Sequence, residues 1–113
     1  MAIRGGNAPL NVETVTAAGS EQADAAAIPS MSSPALVLAA GDDSVGILLP
    51  KASKGKVFYV KNTGGGGLKV WPYSGDAINA LGADTAITMA TVTAAVFAAS
   101  STSQWYTIPL LPS

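Results

Sequence analysis

The side chains that could carry out chemistry are few, and two of the commonest catalytic types are missing from the sequence. The chain has no histidine and no cysteine. It therefore lacks the commonest general base near neutral pH, the thiolate nucleophile and the commonest transition-metal ligands. A serine nucleophile would have to use a lysine as its base, and no spacing marks such a pair. We therefore expect that the protein is not an enzyme.

Seven carboxylates remain as candidates for acid–base or metal chemistry: Glu13, Glu21, Asp24, Asp42, Asp43, Asp76 and Asp84. Only Asp42 and Asp43 are adjacent, and neighbours in a strand point to opposite faces, so adjacency alone does not make a catalytic dyad. Their position after Gly41 favours a turn in which an aspartate caps its own backbone. Calcium could use oxygen ligands from Asp42/Asp43 or Asp76/Asp84. Because no EF-hand or RTX spacing is present, we expect no metal and no cofactor.

The charge balance favours neither a nucleic-acid nor a membrane partner. Six basic and seven acidic residues give a net charge of −1, without the basic stripe that phosphates or anionic lipids require. The one basic cluster (Lys51, Lys54, Lys56 and Lys61) is interpreted as a solvated loop in preference to a docking patch for an acidic surface. No run of about 18 apolar residues predicts a transmembrane helix. Residues 1–6 lack the apolar core of a signal peptide, so we expect synthesis in the cytoplasm.

Two further features have both a structural and a functional interpretation. The run Gly64 to Gly67 lacks the Gly-Lys-Ser/Thr ending of a phosphate-binding loop, so we interpret it as a flexible hairpin loop. Trp71 and Tyr73 share one face by the two-residue period of a strand. If exposed, they could stack on a sugar ring; if buried, they belong to the core, which is the interpretation we favour.

Turn signals recur about every 8 to 12 residues, with strand-like runs between them. This spacing predicts an all-β fold, namely a β-sandwich or jelly-roll-like barrel of about eight to nine short antiparallel strands. The clearest strand covers 56–61, and its apolar residues face both ways, as in a central strand covered on both sides. No internal repeat of about 20 to 50 residues stands out, which argues against a solenoid. The 113 residues predict one domain, with an extended N-terminal arm (1–11) and a body (12–113).

Aromatic and charged residues are unevenly distributed along the chain. All seven aromatic residues lie at or after Phe58, so we expect the second half to form the folding nucleus. Charged residues make up only 12% of the chain, and no formally charged side chain follows Asp84. Either serine and threonine alone supply the exposed face of this segment, or it lies in the core and in a subunit interface, which we favour. The predicted interface residues are Trp105, Ile108, Leu110 and Leu111.

Several segments between residues 44 and 108 resemble small structural proteins of tailed phages and prophages. They are Gly55-Lys56-Val57-Phe58-Tyr59-Val60-Lys61-Asn62, Leu68-Lys69-Val70-Trp71-Pro72, Gly75-Asp76-Ala77-Ile78-Asn79-Ala80-Leu81 and Ser103-Gln104-Trp105-Tyr106. The resemblance is to capsid decoration (cement, head-stabilising) proteins. The Gly-Asp and Gln-Trp-Tyr segments also occur in phage tail and fibre-associated proteins. The first 40 residues carry no such match.

The resemblance implies a structural virion protein on the outer capsid surface. It implies a homotrimer that binds the major capsid protein at local three-fold positions and stabilises the shell by bridging neighbouring capsomers. It also implies a β-sandwich or jelly-roll body whose N-terminal arm runs along the shell, and it supplies no catalytic residues. The capsid-contact residues of the arm would then be Ile3, Arg4, Asn7, Pro9 and Leu10. The alternative is a tail-fibre or baseplate accessory module that binds host glycan.

Overall fold

The fold consists of two β-sheets in a computed structural model that describes residues 10–29 and 32–111. A single turn of 3-10 helix covers Gln22–Asp24. The strands are β1 (Asn11–Thr14), β2 (Ala26–Ala27), β3 (Ala35–Ala39), β4 (Gly46–Leu48), β5 (Val57–Asn62), β6 (Leu68–Trp71), β7 (Ala77–Ile78), β8 (Ile87–Met89), β9 (Ala94–Ala99) and β10 (Gln104–Ile108). The strand order is β1-β3-β5-β9-β10-β7 in the six-stranded sheet and β2-β4-β6-β8 in the four-stranded sheet.

The first six strands alternate between the two sheets and form stacked coils. β1, β3 and β5 pair in parallel in one sheet, and β2, β4 and β6 pair in parallel in the other. Asn11 lies opposite Ala35, and Ala35 opposite Phe58, so consecutive coils are offset by 24 and 23 residues. In the second sheet Ala26 lies opposite Ile47, and Gly46 opposite Lys69, which gives offsets of 21 and 23. This arrangement is solenoid-like.

The last four strands do not continue the parallel pairing of the coils. They pack against the third coil, which is formed by β5 and β6. β8 runs antiparallel to β6, β9 antiparallel to β5, and β10 antiparallel to β9, whereas β7 is parallel to β10. The all-β prediction is confirmed. The predicted antiparallel sandwich or jelly roll is wrong, as is the argument against a solenoid, because strands far apart in sequence pair in parallel through repeated crossings between the sheets. Most of the predicted arm (residues 1–9) lies outside the described residues.

One apolar core lies between the two sheets. Its largest side chains with no exposed surface are Trp105, Phe58 and Phe97, and the ring centroids of Phe58 and Trp105 are 6.0 Å apart. β5 is central in its sheet, but the prediction that it is covered on both faces is wrong, because Tyr59 is 40% exposed. The outer face of the six-stranded sheet is therefore open in the described chain.

The four-glycine run stacks on the turn of the preceding coil. It joins β5 to β6, which lie in different sheets, so it is not the hairpin loop that we predicted. The Gly66 N–H donates to the Gly41 carbonyl (3.1 Å) and the Asp43 N–H donates to the Gly67 carbonyl (2.9 Å). The Gly67 N–H in turn donates to Asp43 Oδ1 (2.7 Å). Glycine is needed because the two backbones come too close for a side chain.

Gly64→Ala is expected to lower the free energy of unfolding by about 2 kcal/mol, because its Cβ would collide with the backbone of Gly41. Gly65→Ala is the matched control, since no atom lies within 4 Å of a Cβ at that position. The control should change stability by no more than about 0.5 kcal/mol. Urea unfolding of both variants measures the difference, and equal midpoints would show that the close approach at Gly64 is unimportant.

Candidate functional site

The most distinctive surface of the described chain is the exposed side of the six-stranded sheet, which we call the outer sheet face. Side chains on β3, β5, β9 and β10 alternate between buried and less buried positions, as expected for a sheet with one face on the core. The members that point outward are Val12, Thr14, Leu36, Leu38, Val57, Tyr59, Lys61, Ala94, Val96, Ala98, Gln104, Tyr106 and Ile108.

Five of these side chains form a continuous line across five strands, which we call the apolar row. The register places Val12 opposite Leu36, Leu36 opposite Tyr59, Tyr59 opposite Val96, and Val96 opposite Ile108. Val12 is 60% exposed and Ile108 is 65% exposed. A shallow apolar groove of about 190 Å³ follows the row, with Leu36, Tyr59, Val96 and Ile108 among its lining residues. Contiguous exposed apolar surface of this kind is typical of sites that contact a protein, a membrane or a ligand.

Charge is nearly absent from the outer sheet face. Lys61 is its one charged member, and the Lys61 ammonium donates to the Val92 carbonyl (2.7 Å) beside β9. Tyr106, which is 51% exposed, lies next to the apolar row on the same face. Gln104 and Thr14 add neutral polar groups. The centre of the face is therefore apolar, and its polar groups lie towards the edges.

The structure separates the predicted interface residues. Ile108 lies in the apolar row and Leu110 is 76% exposed. Leu111 is half-buried against the core, and its N–H donates to Thr107 Oγ1 (3.0 Å). Trp105 has no exposed surface and belongs to the core, because the two-residue period of β10 turns Trp105 and Thr107 inward when it turns Tyr106 and Ile108 outward. Of the four predicted interface residues, Ile108 and Leu110 are therefore the exposed ones.

The other residues of the apolar row were not among the predicted site residues. Val12, Leu36, Tyr59 and Val96 come from four different strands, and only the register brings them together. The available signal was the alternation of apolar residues within each strand. Because both faces of β3, β5 and β9 carry apolar residues, that signal did not separate the core face from an exposed face.

Of the predicted capsid-contact residues, Leu10 falls within the described part of the chain. Ile3, Arg4, Asn7 and Pro9 lie outside the described residues. Leu10 is described and is 41% exposed. It directly precedes β1, the edge strand of the six-stranded sheet. Leu10 therefore lies beside one edge of the six-stranded sheet.

Trp71 and Tyr73 do not form a joint platform for a sugar. Tyr73 is 44% exposed, contrary to the core position that we favoured, and lines a groove of about 520 Å³ with Lys51, Lys56 and the apolar side chains of Leu48 and Leu49. Trp71 is half-buried and does not line that groove; the Lys69 ammonium lies 5.8 Å from the centre of its ring. The strand ends at Trp71, so the two-residue period does not continue to Tyr73.

The predicted solvated lysine loop is only partly solvated. The Lys51 ammonium lies 2.6 Å from Asp76 Oδ1 and 2.5 Å from the Thr102 carbonyl oxygen. Asp76 has no exposed surface, and its Oδ2 accepts the Ala52 N–H (2.8 Å). This ion pair joins the loop after β4 to the turn before β7. It is a structural contact between two connections of the fold.

Two exposed carboxylates also serve as backbone caps. Asp42 Oδ1 accepts hydrogen bonds from the hydroxyl (2.7 Å) and the N–H (2.9 Å) of Ser44, and these bonds lower the pKa of the Asp42 carboxyl. The turn interpretation of Asp42 is confirmed. Asp84 Oδ1 accepts hydrogen bonds from Gln22 Nε2 (3.0 Å) and the Gly75 N–H (2.7 Å), and both lower the pKa of that carboxyl. Within residues 10–29 and 32–111, no three metal-ligating side chains are grouped.

No family model, curated protein or solved structure matches this chain. No helix in the described part of the chain is both long and apolar enough to cross a membrane. The function is therefore inferred from the surfaces and contacts of the chain itself.

Proposed function

We propose that the protein is a structural component of a tailed-phage virion. In this proposal it binds the outer surface of the assembled capsid as a homotrimer and stabilises the shell by bridging neighbouring capsomers. The observation that carries the proposal is the outer sheet face, an open and nearly uncharged apolar surface on a body of stacked, hydrogen-bonded coils. A surface of this kind suits permanent contact with other protein chains.

Several polar side chains bind other parts of the same chain, which supports a structural role. Asp76 is held by Lys51, Asp42 caps the turn at Ser44, and Asp84 joins Gln22 to Gly75. Each of these groups stabilises a turn or a connection between coils. A non-enzymatic function is the proposal most consistent with that use.

The chemistry of shell stabilisation needs no reactive group. A protein that binds only the assembled lattice stabilises it by mass action. Three arms on one trimer would add their contacts, so each arm could bind weakly. We propose that the arm 1–11 contacts the major capsid protein through Ile3, Arg4, Asn7, Pro9 and Leu10. The exposed position of Leu10 at the start of an edge strand is compatible with an arm that leaves the body there.

The deciding experiment mixes the purified protein with expanded, undecorated capsids of the phage that encodes it, followed by cryo-electron microscopy. The proposal expects additional density at the local three-fold positions on the outside of the shell. Absence of density at saturating protein would contradict it and would favour the tail-fibre or baseplate module that binds host glycan.

A variant lacking residues 1–9 should bind these capsids at least about tenfold more weakly, because three arm contacts are lost at once. Lys54→Ala is the control, since Lys54 is exposed on the loop before β5 and lies far along the chain from the arm. Co-sedimentation with capsids measures both affinities. Unchanged binding of the shortened chain would contradict the role assigned to the arm.

A further inference from the structure

We propose that the partner of the outer sheet face is a second copy of this chain, and that the apolar row lies along the axis of a homotrimer. The number of copies rests on the proposed function. The choice of surface rests on the exposed area, the charge and the direction of the row.

The exposed apolar area approaches the area that a specific complex buries on each partner. Val12, Tyr59, Tyr106 and Ile108 on this face are 60%, 40%, 51% and 65% exposed, and Leu110, which follows β10, is 76% exposed. Aromatic side chains offer roughly 150–250 Å² each and aliphatic ones less, so these five together expose on the order of 500 Å². The half-buried side chains between them, such as Leu36 and Val96, bring the face towards the roughly 800 Å² per partner that specific complexes bury.

The distribution of charge fits a copy of the same face. An apolar, uncharged surface leaves no charge unpaired when it meets an identical one. The polar members Lys61, Gln104 and Thr14 lie outside the apolar row, where an interface has its hydrated rim. A charged partner surface would find no complement at the centre of this face.

The direction of the apolar row fits a three-fold axis that three copies of the chain share. The row crosses five strands at right angles to the chain direction, so it runs along the stacking direction of the coils. Neighbouring strands lie about 4.8 Å apart, which gives the row a length of about 19 Å. Three such narrow rows can meet along one axis, with Tyr59 of each copy at the middle. The same contact would leave the four-stranded sheet of every copy facing outward.

The test measures the mass of the protein in the absence of capsids, by size-exclusion chromatography with light scattering. The chain has a mass of 11.2 kDa, and we expect a particle of three times that mass. Tyr59→Glu and Ile108→Glu each place a charge in the apolar row and should weaken association at least about a hundredfold, so that monomers predominate. Tyr73→Glu is the matched control, because Tyr73 is 44% exposed against 40% for Tyr59 but lies outside the outer sheet face. It should remain trimeric.

Circular dichroism establishes that each variant is folded, so that loss of association is distinguished from loss of structure. A wild-type monomer, a dimer, or a trimer that survives both row variants would overturn the inference. The capsid experiment is independent of this one. A trimer that is disrupted by the row variants but fails to bind capsids would support the inference and contradict only the proposed function.

Discussion

Asn62→Ala is expected to lower the free energy of unfolding by about 4 kcal/mol. Asn62 ends β5 and has no exposed surface. Its Oδ1 accepts the N–H groups of Gly41 and Gly64, both at 2.9 Å. Its Nδ2 donates to the carbonyl groups of Gly66 (2.9 Å), Met89 (3.1 Å) and Ala90 (3.1 Å). One side chain therefore joins two stacked turns to the connection between β8 and β9.

The expected cost follows from the groups that alanine would leave behind. Each buried backbone donor without a partner costs about 1–3 kcal/mol. The variant would remove the acceptor of the buried Gly41 N–H and of the partly buried Gly64 N–H. The cavity left by the amide adds to this cost. Asn62→Asp should also destabilise, because a carboxylate cannot donate to the three carbonyl groups and would repel them.

Urea unfolding followed by tryptophan fluorescence measures the loss at a single protein concentration. Asn11→Ala is the control, since Asn11 is exposed and its side chain makes one hydrogen bond within the described residues, from Nδ2 to the Ser32 carbonyl (2.9 Å). It should cost less than about 1 kcal/mol. A loss of similar size in the two variants would show that Asn62 does not hold the turns together.

The local features of the fold could be predicted from sequence, but the long-range pairing could not. The Gly41-Asp42-Asp43 turn follows from local backbone chemistry, and the structure contains it. Strand direction depends on which distant segments pair, and residues at equivalent coil positions differ in type, such as Leu38 opposite Lys61 and Ala39 opposite Asn62. Similarity between coils is therefore too weak to show as a repeat.

One weak sign of the coil repeat is present in the sequence. An apolar residue followed by proline ends β2, β4 and β6 or comes directly after them: Ile28-Pro29, Leu49-Pro50 and Trp71-Pro72. The intervals between these prolines, 21 and 22 residues, are close to the coil offsets in the four-stranded sheet. Proline cannot donate a ladder hydrogen bond, so it suits the place where each coil leaves its sheet.

The candidate site was predictable only where it is local in sequence. From the absence of charge after Asp84 we predicted that Ile108 and Leu110 lie in a subunit interface, and both are exposed. The same reasoning wrongly included Trp105, which is buried. Composition does not show which way a side chain points. Val12 and Tyr59 could be joined to Ile108 only through the strand register, which depends on the pairing of the whole chain.

Lys51→Met is expected to cost about 3 kcal/mol, the second-largest effect among these variants. The Asp76 carboxylate has no exposed surface, whereas the Lys51 side chain is 54% exposed. Removing the ammonium would leave the buried Asp76 carboxylate with the backbone N–H of Ala52 as its remaining hydrogen-bond donor in the described structure. Breaking a buried pair in this way costs about 3–5 kcal/mol, and the lower value applies because half of the lysine is already in water.

Replacing Asp76 should lower the free energy of unfolding less than replacing Lys51 does. Asp76→Asn leaves Lys51 charged, but that ammonium can turn to solvent and keep its bond to the Thr102 carbonyl. The amide oxygen can still accept the Ala52 N–H. We therefore expect Asp76→Asn to cost only about 1–2 kcal/mol. The double variant should then be more stable than Lys51→Met alone, because it contains no buried charge.

Urea midpoints of the two single variants and the double variant form a cycle that isolates the interaction. Lys54→Met is the control for removing a lysine from the same loop, and its exposed position predicts a change within about 0.5 kcal/mol. If Lys51→Met were no more destabilising than Lys54→Met, the ion pair would be a surface contact of little consequence. A larger loss in Lys51→Met that the second substitution partly restores would instead show that the cost lies in the stranded carboxylate. The loop between β4 and β5 would then be held to the body by charge as well as by packing.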